Sequence, residues 1–161
     1  MNWKKTAILL SCLFFAFSNC KKSASDSQES YFMIADVNGS STSFNLSLQI
    51  DTSLTSTYLS YLISGHKTTA DGLLVFNLLN YNKSLLVPGI YTGMNQLNLY
   101  VAYHSLGKEY DNIGFQGFTV EITNVTNSSV SGNFHGVVKY PYNQTDSIVI
   151  SNGHFNARII Y

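Results

Sequence analysis

The chain is short of charge, of cysteine and of tryptophan, and each shortage closes off a class of protein. Only 11% of its 161 residues are Asp, Glu, Lys or Arg, and Lys67, Lys83, Lys108, Lys139 and Arg158 are spread singly along its length. Phosphate backbones are held by clustered cations, so no nucleic-acid partner is expected. The two cysteines, Cys12 and Cys20, both fall near the start, which leaves the remainder with no disulfide framework and no cysteine-based metal spacing. Trp3 is the one tryptophan, so the later chain lacks the indole platform common in carbohydrate sites. No nucleophile elbow, phosphate loop or zinc-protease helix is present, and no cofactor is expected.

Lys4 and Lys5 precede the almost uniformly apolar Thr6 to Phe17, after which Ser18-Asn19-Cys20 gives way to the polar run Lys21 to Ser30. A dozen apolar residues are too few to cross ~30 Å of hydrocarbon, which takes about 20, so the segment reads as a targeting signal. A cysteine directly after such a stretch resembles a bacterial lipoprotein signal, with Phe17 and Asn19 standing where Leu and a small residue are usual. The resemblance implies that residues 1–19 are a signal peptide and that Cys20 takes a diacylglycerol thioether and fatty acyl chains such as palmitate. Ordinary cleavage after Ala16-Phe17-Ser18 would instead leave a lone thiol with no cysteine to pair with in an oxidising compartment, and a cut at Cys12 would strand Leu13 to Phe17. The expected location is therefore the cell envelope, anchored in the lipid bilayer of the outer membrane through Cys20, with the domain outside the cytoplasm. Residues 20–30 form a polar tether reaching roughly 15–20 Å, and removal of the signal leaves seven basic against nine acidic residues.

Residues 31–161 fit one domain. Across the chain 45% of residues are hydrophobic, and 21 are Phe or Tyr, enough for a core. Apolar side chains recur at period two, which places them on one face of a strand. Phe44, Leu46, Leu48 and Ile50 form one such face; Leu97, Leu99, Val101 and Tyr103 another; Phe118, Val120 and Ile122 a third; Phe155, Ala157 and Ile159 a fourth. Leu73 to Leu79 is apolar on both faces except at Asn77 and reads as a central strand, with a short helix as the alternative. Asn38-Gly39, Asp71-Gly72, Pro88-Gly89, Ser131-Gly132 and Asn152-Gly153 supply turn chemistry, and the two Asn-Gly pairs predict hairpins on either side. The expectation is an antiparallel two-sheet β-sandwich of about nine strands, with an up-and-down β-barrel as the alternative.

The order Val120-x-Ile122-x-x-Val125, Val130-Ser131-Gly132-Asn133-Phe134 and Ile148-x-Ile150-Ser151-Asn152-Gly153-His154-Phe155 resembles the C-terminal half of small uncharacterised lipoproteins of Bacteroidota. Those are turn and core residues, so the resemblance implies fold and location and assigns no activity.

Candidates for chemistry are few. His66, His104, His135 and His154 would bind Zn²⁺ or Cu²⁺ if strands brought three together, and otherwise face solvent. Glu109 and Asp111, read as a loop after His104, and Glu121 could supply paired carboxylates for glycoside hydrolysis. Asp36-x-Asn38-Gly39 opens like a calcium loop but has Ser47 at the twelfth position, which reads as a hairpin turn. Tyr58, Tyr61, Tyr81, Tyr91, Tyr100, Tyr103, Tyr110, Tyr140 and Tyr142 offer flat rings for sugar or peptide, although strands favour Tyr for their own sake. The sequons at Asn38, Asn45, Asn82, Asn124, Asn127 and Asn143 are compositional in a bacterial chain, and Asp146-Ser147-Ile148 is similar to a short bacterial O-glycosylation acceptor. The reading is a non-enzymatic binding or accessory module for a glycan or surface protein; the alternative is a hydrolase or metal-binding protein using the loop carboxylates or strand histidines.

Overall fold

The computed structural model describes residues 30–68, 71–82, 84–92, 99–114 and 117–160, so Cys20, the tether up to residue 29 and Leu97 lie outside the described residues. Its elements are all strands: β1 (Phe32–Val37), β2 (Ser40–Ser43), β3 (Leu46–Leu54), β4 (Leu59–His66), β5 (Leu73–Asn80), β6 (Gly89–Thr92), β7 (Leu99–Ser105), β8 (Lys108–Asp111), β9 (Phe118–Val125), β10 (Ser129–Tyr140) and β11 (Asn143–Arg158). One antiparallel path runs β2-β1-β11-β10-β8-β7-β5-β4-β3, with β9 also on β10 and β6 on β9.

Strand β10 is the seam. Its residues Val130 to Gly136 pair with β9, and only at Lys139, opposite Asp111, does β8 take over that edge. The sheet therefore turns from one layer into the other along a single chain. Phe76 of β5 then meets Phe118 of β9, Phe134 of β10 and Phe155 of β11 across the gap, with ring centroids 5.9, 4.7 and 6.1 Å away. Between β3, at one end of the path, and the residue just after β11, Ile50 and Ile159 form one isolated parallel bridge. The sheet does not close into a barrel, and the fold is sandwich-like.

The period-two faces at Leu99, Val101 and Tyr103, at Phe118, Val120 and Ile122, and at Phe155 and Ala157 are buried. Leu73 to Leu79 is a strand whose Leu74, Phe76 and Leu78 face the core while the other face is half-buried. Five readings are corrected. Leu46 is exposed although Phe44 and Ile50 are buried, because Ser47 adopts φ 52° and the register slips between Leu46 and Gln49. The long second strand of the expected first hairpin is broken at Phe44-Asn45, so that β2 belongs to one layer and β3 to the other. Asn38-Gly39 does turn between β1 and β2, with φ 48° and 78°. Asn152-Gly153, however, is no hairpin; β11 runs straight through it, and Asn152 (φ 51°) marks a bulge opposed by register slips in β1 and β10. Ser131-Gly132 likewise lies inside β10, and Glu109 and Asp111 stand on β8 rather than in a loop.

The glycines in these strands serve the core. Gly153 pairs with Phe134, and Gly132 pairs with Phe155. A Cβ at Gly153 would strike the Phe134 ring and carbonyl, and one at Gly132 the Phe155 ring and the Glu121 carbonyl. Each ring thus lies flat over the glycine opposite. Gly153→Ala is expected to lose about 1–3 kcal/mol by overpacking, and Phe76→Ala about 3–5 kcal/mol; chemical denaturation of both variants measures this.

Candidate functional site

The β7–β8 hairpin turns on Leu106-Gly107, with φ 51° and 75°, the conformation a two-residue turn of right-twisted strands requires. Leu106 is a poor turn former, and what holds it is Asp71, the residue before Gly72 in the β4–β5 connection. Asp71 Oδ1 accepts the Leu106 N–H at 2.8 Å, and Oδ2 accepts the Ser105 hydroxyl at 3.4 Å. The Leu106 hydrogen bond keeps the Asp71 carboxyl below its ordinary pKa.

Register then places a row on the outer face: His66 opposite Leu73, Leu73 opposite His104, and His104 opposite Glu109. His104 Nδ1 is 3.7 Å from Glu109 Oε2, and the Tyr100 hydroxyl donates to Glu109 Oε1 at 2.7 Å. Burial, and next that hydrogen bond, push the Tyr100 phenol well above its ordinary pKa, so it remains a donor. His66, Asp71, Leu73, His104, Lys108 and Glu109 surround an open hollow of about 370 Å³.

On the other side of the hairpin tip a second hollow of about 360 Å³ is walled by Lys108, Glu109, Tyr140, Pro141 and Tyr142. Lys108 Nζ donates to Asp146 Oδ2 at 2.7 Å and lies 5.1 Å from the centre of the Tyr140 ring. Tyr140 and Tyr142 meet edge to face at 5.5 Å, and Tyr142 is 88% exposed. The Lys108 hydrogen bond lowers the Asp146 pKa, and the same contact raises that of Lys108. One end of the sandwich therefore presents fixed polar groups beside the exposed Tyr142 and half-buried Tyr140 rings.

The expected candidates divide sharply. His66 and His104 line one hollow. His135 and His154 lie on the other layer, where His154 Nδ1 is 2.8 Å from Asn133 Oδ1 and Asn133 donates to Glu121. Among the described residues no three of His, Cys, Asp and Glu stand close enough to hold a metal ion. Glu109 and Asp111 share one face of β8, but Asp111 is buried and accepts the Ile113 N–H. Tyr61, Tyr103 and Tyr110 are core residues. The roles of Asp71 and Lys108 escaped the sequence reading; alternation on both sides of Leu106-Gly107 would have placed Lys108 on a hairpin strand, whereas nothing local marks Asp71. The chain matches no family model, no curated protein and no solved structure.

A carboxyl whose pKa falls on folding adds stability above its unfolded value of about 4, and that stability disappears as the pH drops through the folded value. Asp71 and Asp146 both belong to this kind. The double variant Asp71→Asn/Asp146→Asn is expected to unfold at a midpoint less dependent on pH below about 4 than the parent, measured by urea titration across the acid range.

Proposed function

We propose that the chain is an exported lipoprotein, anchored to a bacterial outer membrane through acylated Cys20, whose β-domain is a non-enzymatic binding module for a glycan. The observation that carries the binding reading is the end built on the β7–β8 hairpin: Tyr142 and Tyr140 next to Lys108, with Glu109 and His104 across the tip. Flat rings beside preset donors and acceptors match a sugar, which has an apolar face and a rim of hydroxyls. Lys108 and Glu109 stand on β8 and are already held by hydrogen bonds with Asp146 and Tyr100, so these two gain little order on binding. The lone Cys20 after a short apolar stretch supports the anchor.

Mass spectrometry of the N-terminal peptide is expected to show Cys20 as the first residue, carrying diacylglycerol. On a glycan array the mature protein should bind, and Tyr142→Ala should weaken binding about tenfold, as loss of an aromatic anchor does, while leaving stability within about 0.5 kcal/mol because the side chain is exposed. A hydrolase using Glu109 and Asp111 is the competing reading, favoured by their shared face. Recovery of the bound glycan intact after prolonged incubation separates the two.

A further inference from the structure

The opposite end of the sandwich has the opposite character. There the ends of β3, β4, β10 and β11 enclose a cleft of about 310 Å³ lined by Ile50, Leu59, Tyr61, Leu85, Val130 and Ile159 among others. Leu86 is buried behind it, its N–H donating to the Tyr61 hydroxyl at 2.9 Å, which turns the neighbours on either side outward. Leu85 is 78% exposed, Val87 56%, Leu54 69% and Ile160 46%. Other large apolar side chains, Leu46, Leu106 and Ile113 among them, are exposed elsewhere, but here several stand together around one apolar cleft, and such a cluster marks a contact.

Two observations identify what they contact. First, the chain coming from Cys20 joins the sheet at this end: Phe32 pairs with Asn156, and Asn156 Nδ2 donates to the Ser30 carbonyl at 3.1 Å. Nine residues separate Ser30 from Cys20, and a polar linker of that length reaches roughly 15–20 Å. Second, segments 52–59, 80–82, 84–88, 124–130 and 157–160, which reach this end, contain no Asp or Glu, Asp51 stands just outside them and accepts a hydrogen bond from Gln49, and Arg158 is exposed there. The other end carries Asp71, Glu109 and Asp146. An apolar rim without carboxylates, with a cation beside it, suits the boundary between phospholipid headgroups and acyl chains.

We propose that this end rests on the lipid bilayer, with Leu54, Leu85 and Val87 in the interface and the hairpin end pointing away from it. The proposal rests on the anchored reading of Cys20, and the test keeps the two apart. In the mature protein, with its own Cys20, an environment-sensitive nitrobenzoxadiazole label is placed at Leu85→Cys or, separately, at Tyr142→Cys; an acylated Cys20 offers no thiol to label. In phosphatidylcholine–phosphatidylglycerol vesicles the label at position 85 is expected to brighten several-fold and to be quenched by spin-labelled acyl chains, while that at 142 does neither. Adding Leu54→Asp and Val87→Asp, both at exposed positions, should abolish the brightening and leave Cys20 acylated. Equal responses at 85 and 142, or none at 85 in a protein whose Cys20 is acylated by mass, would overturn the proposal. So would brightening at 85 that follows protein concentration without vesicles, since that would mean a second copy covers the rim. A free Cys20 by mass would overturn the anchor; in that case Cys20→Ser with the label at 85 alone is used, and its brightening in vesicles would leave the lipid-facing surface standing while its absence would overturn that as well.

Discussion

The contact of Phe76 with Phe118, Phe134 and Phe155 is the constraint on which the rest depends. With no disulfide in the domain, the two layers stay together mainly by apolar burial, beside the shared strand β10, and one ring of β5 joins three strands of the facing layer. Three rings converge on one only if each lies close to its own sheet. The glycines directly across from Phe134 and Phe155 allow that, because neither has a Cβ to lift the ring away. The bulges near Asn152 follow from the same demand: they bend β1, β10 and β11 at one level, so that a long sheet can fold over its own core.

From that core the two ends of the sandwich diverge. At one, Asp71 fixes the turn of a hairpin whose sequence would not choose it, and the hairpin in turn spaces Lys108, Glu109 and His104 around two hollows. At the other, Leu86 turns inward and its neighbours turn out. Charge separates with shape, since the carboxylates of the hairpin end have no counterpart at the apolar rim. A β-domain with polar chemistry at one extremity and apolar surface at the other has an axis, and Ser30 and Phe32 enter the sheet at the apolar extremity.

The strands were legible because period two is a direct consequence of pleating, and the faces at Leu99, Phe118 and Phe155 were read correctly from spacing alone. Glycine misled. Gly132 and Gly153 read as turns, since a residue without Cβ suits a turn, yet both are close-approach positions that only the opposing Phe explains, and that partner is fixed by pairing between strands. Leu46 was misplaced for a related reason: one residue of positive φ at Ser47 resets the alternation. The hairpin site was only half legible. Tyr142, Glu109 and His104 stood out by type, whereas Asp71 acts on Leu106 from 35 positions away, which no local pattern records. Sandwich and barrel differ in whether β3 gains a partner along its length or at Ile50 alone, a matter of long-range closure.

The place where the chain joins the sheet also decides how the domain carries load. Ladder hydrogen bonds lie across the strands, so a pull along a strand strains many of them together, whereas a pull across it opens them one by one. β1 starts at the apolar end and lies between β2 and β11, and tension arriving through Ser30 runs along its axis. Were the far hairpin gripped while the chain before Ser30 was held, the domain would be stretched lengthwise, the direction in which a sheet yields last.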